Sequence, residues 1–133
     1  MSFDDSTIDE VLQMKTWAIV GLGNNPERAA FGVSKLLQDK GHRIVPVYPR
    51  AEVVHGETGY KTLRDIPFPI DVVDCFVNSK MVGGIVDEAI EIGAKAVWLQ
   101  LEVIDEAAIE RAEKAGLLAI MDRCPAIEYR KRG

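Results

Sequence analysis

The chain has 133 residues, enough for one hydrophobic core of ordinary size and too few for two. Hydrophobic residues make up 47% and charged residues 28%, a globular balance that excludes intrinsic disorder. Sixteen Lys and Arg against 21 Asp and Glu give a net charge of -5, and the longest basic block is Arg130-Lys131-Arg132, so DNA, RNA and other polyanions are disfavoured as partners.

Residues 1–10 are acidic and polar, unlike a secretory leader, and no apolar run approaches the length needed to cross a bilayer. Cys75 and Cys124 stand far apart, without CxxC spacing or neighbouring histidines, so neither a disulfide framework nor a zinc site is signalled. The expected location is the reducing cytoplasm.

After a short amphipathic stretch marked by Ile8, Val11 and Leu12, the run Trp17-Ala18-Ile19-Val20 stops at Gly21, the pattern of a strand buried on both faces. Ala29, Val33, Leu36 and Leu37 then share one helical face, closed by Lys40-Gly41, a cation and a glycine where a helix C-terminus favours them. Residues 44–48 supply a second strand. Between residues 51 and 70 the period fails amid Gly56, Gly59, Pro67 and Pro69, so an irregular connection replaces the usual helix. The alternation resumes with a strand over residues 72–77. Next comes a helix with Val82, Ile85, Val86, Ala89 and Ile90 on one face, ending at Gly93. A Gly83-Gly84 pair weakens its start by about 1 kcal/mol per glycine relative to alanine. Residues 96–101 form the next strand, Asp105 caps a helix whose buried stripe is Ala108, Ile109 and Ala112, and residues 117–121 give the last strand. Strands joined through helices pair in parallel by right-handed crossovers that cover both faces of the sheet. The expected fold is a single-domain, Rossmann-like, doubly wound parallel α/β sheet of about five strands, ordered 3-2-1-4-5.

In such sheets the ligand crevice lies beyond the carboxyl ends of the strands, where the winding reverses. Gly21-Leu22-Gly23-Asn24-Asn25-Pro26-Glu27-Arg28 is a glycine turn entering a helix. It is either a phosphate cradle, with Asn25 as the helix cap, Pro26 in the first turn and Arg28 adding charge, or a bare strand-to-helix turn. The dinucleotide fingerprint G-x-G-x-x-G is broken, because Pro26 stands where the third glycine should be. The second strand ends Val47-Tyr48-Pro49-Arg50, without the ribose-binding acid of NAD domains. Arg50 is either a partner for a ribose phosphate, as on NADP or coenzyme A, or a solvated loop cation. Trp98 and Cys75 sit in apolar strands and read as core. Cys124 reads as structural, or as a nucleophile activated by Arg123. His42 and His55 sit in no catalytic pattern.

These residues resemble the stand-alone CoA-binding proteins, whose fold is similar to the N-terminal CoA-binding domain of the succinyl-CoA synthetase alpha subunit. The resemblance spans nearly the whole chain. Its landmarks are Ala18-Ile19-Val20-Gly21 with the following Asn-Pro-x-Arg, Val45-Pro46-Val47-Tyr48-Pro49, Gly56-Glu57, Asp71-x-Val73-Asp74-x-Phe76, Trp98-Leu99-Gln100-Leu101 and Met121-Asp122-Arg123-Cys124-Pro125. It implies one CoA-binding domain over residues 1–133, with coenzyme A or acyl-CoA as the ligand. It further implies that the loop bearing Gly21, Gly23, Asn24, Asn25 and Arg28 holds the pyrophosphate. Tyr48, Pro49 and Arg50 would then face the adenosine and its ribose phosphate. Phe76, Val77 and Asn78 would pack beside the adenine or pantetheine, and Gln100 and Leu101 would lie near the thiol end. Two positions depart from the family pattern. Val77-Asn78 stand where a basic residue often follows the phenylalanine, a charge that Lys80 is expected to supply. Glu102 stands where a glycine often follows the Gln-Leu pair, which places an anion beside the pantetheine path. The synthetase histidine has no counterpart here, and no acid and base pair up in the sequence. The expected role is therefore a non-catalytic CoA or acyl-CoA module that acts through a protein partner as a sensor or carrier. Two alternatives stand beside it, an NADP-binding oxidoreductase-type domain and a thiol enzyme using Cys124.

Overall fold

Five short strands form the central layer: β1 (Thr16–Val20), β2 (Arg43–Val47), β3 (Val72–Cys75), β4 (Ala96–Leu99) and β5 (Leu118–Ile120). They belong to a computed structural model that describes residues 4–133; residues 1–3 of the acidic N-terminal segment lie outside the described residues. Side chains alternate between the two faces of a strand. Trp17 and Ile19 therefore enter one apolar layer with Val72, Trp98 and Ile120, while Ala18 and Val20 enter the other with Val73, Cys75 and Val97. Helices α1 (Asp5–Leu12), α2 (Ala29–Asp39) and α5 (Pro125–Lys131) cover the first layer, and α3 (Ser79–Glu91) and α4 (Glu106–Lys114) cover the second. Every strand pairing is parallel, and residues 51–70 hold only a 3-10 turn at Leu63–Asp65, as the broken pattern there requires.

The strand order is β2-β1-β3-β4-β5, so the expected 3-2-1-4-5 order is wrong. β3 lies against β1 and leaves β2 at the edge. Pro46 supplies the reason, since a proline has no N–H for a ladder and is confined to edge strands or to the open side of one. Pro46 and Tyr48 turn their backbones outward, where Tyr60 donates its N–H to the Pro46 carbonyl and accepts the Tyr48 N–H, both at 3.0 Å. A third strand docked there would have met a missing donor.

Helix starts follow local chemistry. Asp4, Asn78 and Asp105 cap α1, α3 and α4, each through a side-chain oxygen 3.0 Å from a first-turn N–H. Asn25 does not cap α2, because its oxygen accepts the Glu27 N–H within a preceding turn and the helix begins only at Ala29. The sequence reading also stopped short of α5, a helix with Pro125 in its first turn. The Gly83 position is explained by packing: a Cβ there would lie 3.0 Å from the Asp105 carboxylate on the neighbouring helix start, whereas Gly84 faces open space.

Candidate functional site

The order of the strands fixes where a ligand can sit. β1 leads outward through α2 to β2, and the chain then returns past β1 to β3, so the winding reverses between the carboxyl ends of β1 and β3. At that point Gly21 is required twice over. Its φ is +100°, and a Cβ there would lie 2.6 Å from the Phe76 carbonyl oxygen. Its N–H donates to the Val47 carbonyl at 2.8 Å, while Phe76 donates to the Val20 carbonyl at 2.9 Å, tying three strand ends together.

Above these ends lies a crevice of three lobes, all lined by Gly21 and Arg28. One lobe, of about 470 Å³, brings Gly23, Asn24 and Asn25 against Tyr48, Arg50 and Glu52. A second, of about 480 Å³, is walled by Tyr48 and Pro49 together with Phe76, Val77 and Asn78, and Lys61, Met81, Ile85 and Glu88 are also among its lining residues. The third, of about 230 Å³, sets Ala29 and Ala30 of α2 opposite Phe76, Gln100 and Leu101. Arg28 sits at the N-cap of α2 without a side-chain capping bond, and Ala29 and Ala30 of the first turn line the narrow lobe, so the start of that helix borders the crevice without a side-chain cap.

Thirteen of the fourteen anticipated site residues meet in this crevice. Lys80 is the exception: it lies in the first turn of α3 and lines none of the lobes, whereas Lys61, delivered by the irregular connection, joins Arg28 in lining the apolar lobe. Glu102 also lies outside the lining. Its backbone is left-handed, with φ +66°, and its N–H donates to Asp122 at 2.7 Å. A glycine is favoured at such a position by backbone geometry alone. Glu52 was missed because it follows β2 by five residues, although an acid after the second strand is what a ribose-binding domain carries. Asn78 has a structural duty that competes with ligand contact, since its oxygen already caps α3.

Among the described residues, the buried side-chain oxygens without a hydrogen-bond partner are those of Asp74 and the Gln100 Oε1. Asp74 opposes Trp98 in the register of β3 and β4, so Gln100, two residues on, shares its face of the sheet. Burial holds the Asp74 carboxyl well above the usual carboxylate range. Burial, and secondarily the adjacent Asp74, also push the Cys75 thiol up, which leaves it an inert core residue. Cys124 is buried in the apolar layer beneath α2 and α5. Trp98 is fully buried, its indole N–H bonded to the Arg123 carbonyl at 2.9 Å. His42 sits at the far end of the sheet, its Nε2 2.5 Å from the Tyr129 hydroxyl, and His55 contacts the Phe31 carbonyl. None of the cysteines or histidines lines the crevice.

Fold and crevice together define a Rossmann-like α/β domain with an open crevice at the switch point of its parallel sheet. The family description "CoA binding domain" matches residues 15–130, and the chain belongs to that family. It is 36% identical over 123 residues to the uncharacterized protein YneT of Bacillus subtilis (strain 168), covering 92% of this chain and 91% of that one. A solved structure of a hypothetical protein from Pyrococcus horikoshii OT3 superposes with a TM-score of 0.92 at 38% identity, covering 98% of this chain and 92% of the other. The chain is also 29% identical over 121 residues to the alpha subunit of the ADP-forming acetate–CoA ligase II of Pyrococcus furiosus, matching 83% of itself but only 26% of that subunit.

Proposed function

We propose that the crevice binds coenzyme A or acyl-CoA, and that the chain acts as a non-catalytic module that presents or senses this ligand in the cytoplasm through a protein partner. The observation that carries the reading is the convergence of a charged lobe, an apolar lobe and a narrow lobe on Gly21 and Arg28. A CoA molecule has those three parts. The pyrophosphate belongs on the Gly21 to Arg28 loop and the uncapped start of α2, where N–H groups, the helix dipole and a guanidinium favour negative charge. Arg50 is suited to the ribose phosphate, and the apolar walls of Pro49, Phe76 and Val77 to the adenine or pantetheine. Gln100 and Leu101, in the narrow lobe, lie where the thiol end would reach. Support for a non-catalytic role comes from the lining, which includes neither the histidines nor the cysteines, and whose acids Glu52 and Glu88 are engaged with the Asn24 N–H and with Arg64 and the Leu63 N–H. Cys124 packs in the core instead of facing the crevice, which weighs against a thiol enzyme.

Isothermal titration of the purified protein with CoA, with dephospho-CoA and NADPH as comparators, tests the reading. CoA is expected to bind best, with Arg28→Ala and Arg50→Ala each losing on the order of 1 to 3 kcal/mol, as charge-assisted hydrogen bonds do. Tighter binding of NADPH would replace the reading by a dinucleotide domain. No heat and no thermal shift at millimolar CoA would remove it.

A further inference from the structure

Among the described residues, Glu52 is the one acid that lines the charged lobe. Its Oε1 accepts the Asn24 N–H at 2.8 Å, and the Asn24 side chain reaches back to the Val53 carbonyl at 2.6 Å. The backbone beneath it is fixed. A Cβ at Gly59 would lie 2.0 Å from the Glu52 carbonyl oxygen, Val54 is fully buried, and Val54 and Glu57 exchange two hydrogen bonds at 3.1 and 2.9 Å. Glu52 is only partly buried, and its carboxylate occupies a donor that the glycine loop would otherwise offer to an anion.

Resting on the reading that this lobe takes a diphosphate, we propose that Glu52 is a specificity-determining residue that competes with incoming anions for the Asn24 N–H. A free phosphate arriving at this donor meets a like charge already bonded there, and it exchanges one anion for another with little gain. A diphosphate brings a second phosphoryl group for Arg28, Arg50 and the start of α2, and so has contacts left over to displace the carboxylate. The competition passes diphosphate esters and rejects single phosphates, although both carry the chemistry the loop recognises.

The test is isothermal titration of the parent, Glu52→Gln and Glu52→Ala with inorganic phosphate, inorganic pyrophosphate and CoA, with thermal unfolding to confirm that each variant is folded. Both variants are expected to bind pyrophosphate and phosphate roughly tenfold or more tighter than the parent, with phosphate gaining the larger factor. Unchanged or weaker pyrophosphate binding by the folded variants overturns the inference. Weaker CoA binding with pyrophosphate unchanged also overturns it, because it makes Glu52 an acceptor for a ligand hydroxyl. If the variants gain pyrophosphate affinity while no form binds CoA, the competition stands and the CoA reading falls.

Discussion

Replacing Asp74 by Asn tests whether a carboxyl buried in β3 holds its proton. Asp74 is fully buried, and neither of its oxygens has a hydrogen-bond partner among the described residues. Below the unfolded value of 3.8 both the folded and unfolded chains carry the proton, and the acid gives no pH dependence. Above it the unfolded chain ionises while burial keeps the folded carboxyl neutral. The parent therefore loses about 1.4 kcal/mol of stability for each pH unit until the raised folded value is reached. Asn has the same shape and does not titrate, so subtracting the two stability curves isolates this one group. Urea unfolding followed by the fluorescence of the buried Trp17 and Trp98, at intervals between about pH 4 and pH 7, supplies the curves. The stability advantage of the Asp74→Asn variant over the parent is expected to grow as pH rises from about 4 and to level off only once the raised folded value is passed. Parallel curves would mean that the folded carboxylate is ionised, and would refute a neutral Asp74.

Three further outcomes are expected. Burial depresses the His42 imidazole below its usual 6.5, opposed by its bond to the Met14 carbonyl and aided by the charge of Lys15. A group whose folded value is lowered gives stability that is present above the unfolded value and lost as pH falls through the folded one. The stability of the parent relative to a His42→Phe variant should thus fall on acidification below about pH 6.5, a difference of denaturant midpoints in which the opposite contribution of Asp74 cancels. Gly84→Ala, at a helical position facing open space, should raise stability by about 0.5 to 1 kcal/mol in thermal or urea unfolding. Gly21→Ala should lower it by roughly 2 to 4 kcal/mol, since left-handed strain adds to overlap with the Phe76 carbonyl, and should abolish CoA binding in titration.

The sequence alone determined the alternation of strands and helices, the absence of a regular helix between residues 51 and 70, and the glycine turn after the first strand. Each is a local matter of side-chain period, capping or backbone freedom, and needs no knowledge of neighbours. It also carried a signal for the strand order in Pro46, which belongs on an edge, but order depends on where a long connection lands, and no local pattern reports that. The site divides the same way. Gly21 and Arg28 could be named because ligands gather at the ends of parallel strands, whereas Phe76 and Gln100 were named only through the family resemblance. Lys61 and Glu52 come from an irregular connection whose path is set by Gly59 closing on the Glu52 backbone and by Tyr60 bonding across the edge of β2. Such contacts join residues distant in sequence. Only the tertiary structure could bring Lys61 into the apolar lobe and leave Lys80 outside its lining, or bring a carboxylate onto the Asn24 N–H.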